Sequence, residues 1–125
     1  MIVDTSALIA VLRGEPDAAS LRDKMLEASH VHISAGTLLE ARIVAERDGG
    51  AGELRDLLAL AGAEVLPVDA RQIDVAFEGF LKYGKGRHPA GLNFGDCFAY
   101  GLACSRDEPL LFKGDDFPKT DVAQA

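Results

Sequence analysis

The chain reads as an α/β protein, a three-layer sandwich whose central, mostly parallel sheet of four to five strands is covered by helices on both faces. Three observations predict it: short apolar runs alternate with longer stretches of helical spacing, the links between them are short, and Gly or small polar residues mark each switch. A length of 125 residues with 48% apolar content is enough for one domain, residues 1–125, with a buried core that needs no disulfide or zinc staple.

Met1 to Val3 is a first strand that stops at Asp4, and Thr5-Ser6 opens an apolar helix over Ala7 to Leu12 that Gly14 closes. Pro16-Asp17 starts a second helix to about Ser29, with Leu21, Met25 and Ala28 at helical spacing. Val31 to Ser34 is a second strand. Gly36-Thr37 then leads into a helix carrying Leu38, Leu39, Ile43 and Val44. Gly49-Gly50 breaks the chain before a helix over Gly52 to Leu60, and Glu64 to Val68 forms a third strand. Ala70 to about Lys82 is helical, Tyr83 to Leu92 is a loop of Gly, Pro and basic residues, and Asp96 to Ser105 is helical again. Leu110 to Phe112 is a fourth strand, with a weak fifth near Val122.

No apolar run approaches the ~20 residues of a membrane span, and Asp4 stands where a signal peptide needs a basic and then apolar stretch, so the expected setting is the cytoplasm. The two cysteines, Cys97 and Cys104, fall in one predicted helix, where a seven-residue separation rises ~10 Å and exceeds disulfide reach. They are expected to be reduced core residues. With 13 Lys+Arg against 20 Asp+Glu the formal charge is −7, which argues against nucleic-acid binding by a general basic surface. That conclusion depends on where the charges lie.

In an open parallel sheet, ligands bind beyond the carboxyl ends of the strands. Carboxylates gather at those positions here. Asp4 ends the first strand, Glu40 lies near the start of the helix after the second, Asp96 opens the helix after the basic loop, and Asp115 and Asp116 follow the fourth strand. Asp4 and Asp96 also suit helix capping, and Asp115-Asp116 after Gly114 suits a turn. Glu40 shares its helical face with Gly36 and Ile43 and no basic partner, so a carboxylate there lacks a simple structural reason. Oxygen donors with no His or Cys among them match magnesium or manganese rather than zinc. Two carboxylates ~5 Å apart repel by roughly 3 kcal/mol at an effective dielectric of 20, so a converging cluster calls for a proton or a cation.

The opening Met-Ile-Val-Asp-Thr-Ser-Ala-Leu, the segment Ser34 to Glu40, the stretch Gly86 to Ala103 containing Asn-Phe-Gly-Asp-Cys-Phe-Ala-Tyr, and Leu110 to Phe117 together resemble the VapC toxins of bacterial toxin–antitoxin pairs, which are PIN-domain ribonucleases. The resemblance runs over nearly the whole chain in the right order, and its first and third motifs are the specific ones. It implies a PIN-like fold and an endoribonuclease that uses Mg2+ (or Mn2+) to cut single-stranded or loop RNA, often in transfer or ribosomal RNA. It also implies a homodimer held inactive by a cognate VapB-type antitoxin. Asp4, Glu40 and Asp96 fall on the family's acidic residues, and Asp115 or Asp116 on its last and most variable one. Many members carry Thr, one residue, then Asp or Asn after that strand, where this chain has Phe112-Lys113-Gly114. Thr5, Ser6 and Asn93 match polar positions that support the carboxylates, while Thr5 also suits a helix cap and Asn93 a loop hydrogen bond.

Between Gly79 and Gly95 the chain carries Lys82, Lys85 and Arg87 with His88 and no acid, a local +3 that runs into Asp96. A flexible basic loop there would guide phosphates, with Tyr83 or Phe94 available to stack on an unpaired base; the plainer reading makes Phe94 a core residue packed near Phe98. Lys113 is a weaker candidate for RNA contact and His88 a weak one for a general base. Apolar stripes at Leu21 to Met25 and Leu54 to Leu60 are mostly core, with some surface left for a partner.

Two rival readings share parts of this pattern. A receiver-type signalling domain has a similar length and an acidic magnesium pocket, but it needs an acidic pair after the first strand, and Asp4 is followed by Thr5-Ser6. A PIN fold that binds RNA or regulates without cutting is the other. A manganese-dependent cleavage assay separates them.

Overall fold

The computed structural model describes the whole chain, Met1–Ala125. Its elements follow the order β1 (Ile2–Val3), α1 (Thr5–Leu12), α2 (Ala18–Glu27), β2 (His32–Ser34), α3 (Ala35–Arg47), α4 (Ala51–Leu60), β3 (Glu64–Leu66), α5 (Ala70–Tyr83), α6 (Phe94–Arg106) and β4 (Leu110–Leu111), with a 3-10 turn at Phe117–Lys119. The strands form one parallel sheet in the order β3-β2-β1-β4. The predicted fifth strand reduces to a single parallel bridge between Leu110 and Gln124.

Strand periodicity divides the core in two. Val3 and Leu111 point into a cluster with Leu8, Leu21, Met25, Ile33, Leu54 and Leu57 beneath α1 to α4. Ile2 and Leu110, one residue back on each strand, point into a cluster with Ala99, Tyr100, Leu102 and Phe117 on the α6 side. Both strands are therefore buried on both faces, as expected where helices cover both sides of a parallel sheet.

Several boundaries differ from the sequence expectation, each for a local reason. The second helix begins at Ala18 rather than Pro16, because Asp17 spends its carboxylate on Lys113 and makes no cap hydrogen bond. The third begins at Ala35, where Ser34 accepts from the Gly36 N–H. The last long helix begins two residues before Asp96, because Asn93 and Asp96 form a reciprocal capping box: the Asp96 N–H donates to Asn93 Oδ1 and the Asn93 N–H to Asp96 Oδ2, each at 2.9 Å. The basic segment is tied rather than loose. Lys85 N–H donates to the Leu92 carbonyl, Leu92 N–H to Tyr83, and Arg87 and His88 N–H groups to Gly84.

Cys97 and Cys104 are free thiols, both half-buried rather than fully in the core. Leu21, Met25, Leu54 and Leu57 are buried, while Leu60 at the end of the second stripe is exposed. A longer exposed apolar row lies on α5, at Ile73, Phe77 and Leu81. Their i, i+4, i+8 spacing was present in the sequence, and only the packing shows that this row turns outward.

Candidate active site at the carboxyl end of the sheet

β1 lies between β2 and β4, so the chain moves from β1 to one side and returns on the other. This is a topological switch point, where an open parallel sheet leaves a crevice beyond its strand ends. Asp4 stands there. Its N–H donates to the Leu111 carbonyl of β4 at 2.9 Å, and its side chain caps α1. Capping and a place in the site thus coincide in one residue.

Ser6 fixes the Asp4 carboxylate. The Ser6 N–H and Oγ–H donate to Oδ2 at 2.9 and 2.6 Å, while Ser6 Oγ accepts the Lys113 N–H at 3.0 Å. The other oxygen, Oδ1, is buried with no hydrogen-bond partner, in a residue only 3% exposed. Burial pushes this carboxyl above its ordinary value and the Glu40 charge adds to the rise, against the Ser6 hydrogen bonds. A buried oxygen without a donor costs about 1–3 kcal/mol unless something outside the chain satisfies it.

Glu40 comes from α3 and meets α6 at Gly95. A Cβ on Gly95 would overlap Glu40 Oε2, so only glycine leaves the carboxylate its place. One turn earlier, Gly36 does the same for Phe98, whose ring occupies the space where a Cβ would stand. These two close approaches seat α3 and α6 so that Glu40 borders Asp96.

Asp96 is pushed up to about 6, first by burial and then by the charges of Asp4, Asp116 and Glu40, against its hydrogen bond from the Asn93 backbone. The charges that bear on Asp96 are therefore those of Asp4, Asp116 and Glu40, and Glu40 also bears on Asp4. Asp115 and Asp116 are both exposed, and of the two it is the Asp116 charge that bears on Asp96. Asn93 positions Asp96 as the sequence suggested. The Thr5 hydroxyl donates to the Thr37 carbonyl at 3.3 Å, tying α1 to α3, while the Thr5 backbone N–H helps hold the Asp4 carboxylate.

The donor set fits a hard divalent cation: oxygen only, with one buried carboxylate oxygen unpartnered and one carboxyl raised by its neighbours. No three His, Cys, Asp or Glu side chains come close enough to hold an ion together.

In the segment that leads into α6, Lys82, Lys85 and Arg87 are exposed and none forms an ion pair; Arg87 lies over the Phe80 ring at 5.9 Å. Lys113 is already engaged by Glu15 and by Asp17, the latter at 2.9 Å, which removes it as an RNA contact. His88 Nδ1 accepts the Ala90 N–H at 3.0 Å and closes the turn, leaving it no general-base role. Tyr83 packs edge-on to His88 and Tyr100. Phe94 is exposed, not core, because the capping box starts α6 there and turns its first side chain outward.

The PIN domain family model matches residues 1–123. Ribonuclease VapC30 of Mycobacterium tuberculosis is 46% identical over 127 residues, covering 98% of this chain and 96% of its own. The chain belongs to the VapC ribonuclease family of PIN domains. Ribonuclease VapC of Mycolicibacterium smegmatis is 46% identical over 126 residues, 98% of each chain, and Ribonuclease VapC28 of M. tuberculosis 47% identical over 129 residues, covering 100% of this chain and 97% of its own. Two solved structures share the VapC fold at low identity. A toxin–antitoxin complex from Klebsiella pneumoniae superposes with a TM-score of 0.75 at 17% identity over 99% of this chain and 95% of its own. VapBC2 from Rickettsia felis, bound to a DNA fragment from its promoter, superposes with a TM-score of 0.74 at 12% identity over 99% and 96%.

Proposed function

We propose that this chain is the toxin of a toxin–antitoxin pair: a magnesium- or manganese-dependent endoribonuclease that hydrolyses RNA phosphodiester bonds with water, acts on cytoplasmic RNA and is neutralised by a VapB-type antitoxin. The observation that carries it is the gathering of carboxylates at the switch point of the sheet, with Asp4 Oδ1 buried and unpartnered and Glu40 set against Gly95 beside Asp96. The curated relatives, each named a ribonuclease, supply the substrate class. No helix is long and apolar enough to cross a membrane.

Asp4 and Asp96 are the residues that would hold the cation, with Glu40 and Asp116 completing the acidic wall. When bound, it lowers the pKa of water and offsets charge on the phosphoryl oxygens. The chain supplies the rest. Ser6 holds Asp4 through Oδ2 and leaves Oδ1 unpartnered, and Asn93 holds Asp96 by its backbone N–H and by the reciprocal cap. Glu40, set against Gly95 beside Asp96, would orient a water for in-line attack. Lys82, Lys85 and Arg87 draw the phosphate backbone toward this edge, and no side-chain nucleophile is required. The products are then 5′-phosphate and 3′-hydroxyl ends.

The test is cleavage of a structured RNA pool in manganese, compared with Asp96→Asn. Wild-type cleavage that chelation and the variant both abolish supports the proposal. Metal-independent cleavage, or ends bearing a 2′,3′-cyclic phosphate, overturns the mechanism. The unburied stripe of Ile73, Phe77 and Leu81 supports a homodimer as the resting form, which Phe77→Glu should dissociate in sedimentation.

A further inference from the structure

Phe94 is the most exposed large apolar side chain of the molecule, at 80%, and it is not a loose one. Its ring meets Phe98 edge to face, with centroids 5.0 Å apart and planes at 80°. Phe98 in turn lies on Gly36, where no Cβ intervenes. Gly36 and Glu40 are one turn apart on α3, and Phe94 and Asp96 are two residues apart on α6. Phe94 immediately precedes Gly95, against which Glu40 packs, so an aromatic face backed by Phe98 is presented at the helix end that carries two of the carboxylates.

We propose that Phe94 is a stacking platform for an unpaired RNA base next to the scissile phosphate, an inference that rests on RNA being the substrate. Three features on this surface select that occupant. The neighbouring groups are carboxylates suited to phosphodiester chemistry, the adjoining segment carries three unpaired cations that suit a phosphate backbone, and a lone ring offers area for a single planar group. Every base has a π-face, so this contact favours single-stranded over paired RNA without reading sequence. Tyr83, the other aromatic in the segment, is half-buried against Tyr100 and His88 and offers no such face.

The chain contains no tryptophan, so Phe94→Trp places a single fluorophore at the platform. With EDTA present, a short single-stranded ribonucleotide should quench the emission of that indole saturably. An oligomer of the same length and charge built from abasic ribose-phosphate units should not, and neither oligomer should quench Leu60→Trp on α4. In the cleavage assay, Phe94→Ala should raise KM about ten- to hundredfold while Phe94→Tyr retains the wild-type value. Equal response to the abasic oligomer, no quench by RNA, quench only by an antitoxin, or a Phe94→Ala enzyme with wild-type KM each overturns the platform. The two readings separate cleanly. Normal cleavage with an unquenched indole in Phe94→Trp removes the platform and keeps the nuclease, whereas a quenched indole in a protein that cuts no RNA keeps the platform and removes the nuclease.

Discussion

Glu40 and Gly95 interlock: the carboxylate of one occupies the space that a side chain on the other would fill, with Oε2 standing where the missing Cβ would be. Gly95→Ala should therefore fold, because Glu40 is the flexible end of a long side chain and can swing aside, with a cost under about 1 kcal/mol. Activity should fall at least tenfold as the carboxylate leaves the cluster. Gly36→Ala meets the rigid ring of Phe98 instead and should destabilise by about 1–3 kcal/mol. Chemical denaturation and cleavage rates on the two variants check the contrast, and equal stability losses would argue against it.

Ser6 joins two elements through one hydroxyl, donating to Asp4 and accepting from the backbone after β4. Ser6→Ala leaves both the Asp4 Oδ2 and the Lys113 N–H short of a partner, at about 1–2 kcal/mol in denaturation. The Asp4 carboxyl should also rise further, since the Ser6 hydrogen bonds work against its elevation. A cation needs the ionised form, so half-maximal activation should require several-fold more manganese, and the excess should shrink as pH increases. A manganese titration at two pH values measures this.

The sandwich was legible, and so were the places of Asp4, Glu40 and Asp96 beyond the strand ends, because each depends on a short stretch of chain. An apolar run followed by a capping carboxylate shows both the end of β1 and Asp4, and a short apolar run followed by a helix start places Glu40 after β2. Asp116 was not legible over Asp115. The choice turns on the backbone at Gly114, whose φ of +109° lets the chain turn there, and no neighbouring side chain signals the direction. The role of Lys113 was equally hidden, since its partners Glu15 and Asp17 lie across the fold and more than ninety residues away. Phe94 was a different case. Asn93 and Asp96 have the spacing of a capping box, and that signal in the sequence would have put Phe94 at the first turn of α6, outside the core.

Acid stability should carry two contributions of opposite sign. Glu108 is desolvated, yet hydrogen bonds from His32, Arg106 and the N-terminal amine pull it down to about 2, from 4.5. A depressed carboxyl stabilises the fold above its unfolded value and loses that contribution as pH falls from about 4.5 toward 2. Asp96, raised to about 6 from 3.8, does the reverse: the metal-free fold is favoured below 3.8 and loses that advantage as pH rises through 6. Glu108→Gln should therefore destabilise by about 1–2 kcal/mol at pH 7 and converge with wild type near pH 2, after allowance for screening. Asp96→Asn should melt higher than wild type at pH 7 without metal, and the gap should close by pH 4. Thermal melts from pH 2 to 7 read both, and an Asp96→Asn protein that melts lower at pH 7 would contradict the charge field around it.

The same field predicts a response to metal that separates binding from RNA guidance. A divalent ion that binds only the folded state stabilises it by about 2.7 kcal/mol at a hundredfold excess over its dissociation constant. Millimolar manganese should therefore raise the melting temperature of wild type and leave Asp96→Asn unmoved. Lys85 and Arg87 are exposed, unpaired and outside the carboxylate cluster, so changing both to Ala should keep the full manganese shift. Their loss should appear only against RNA, because each cation neutralising a phosphate steepens the salt dependence, by a slope of about 0.7 per contact on single strands. Binding measured from low to moderate salt should be weaker for the double variant at low salt, with a slope shallower by about 1 to 1.5. A double variant with the wild-type slope would move the phosphate path away from this segment, whereas one that lost its manganese shift would show that the basic residues also shape the metal site.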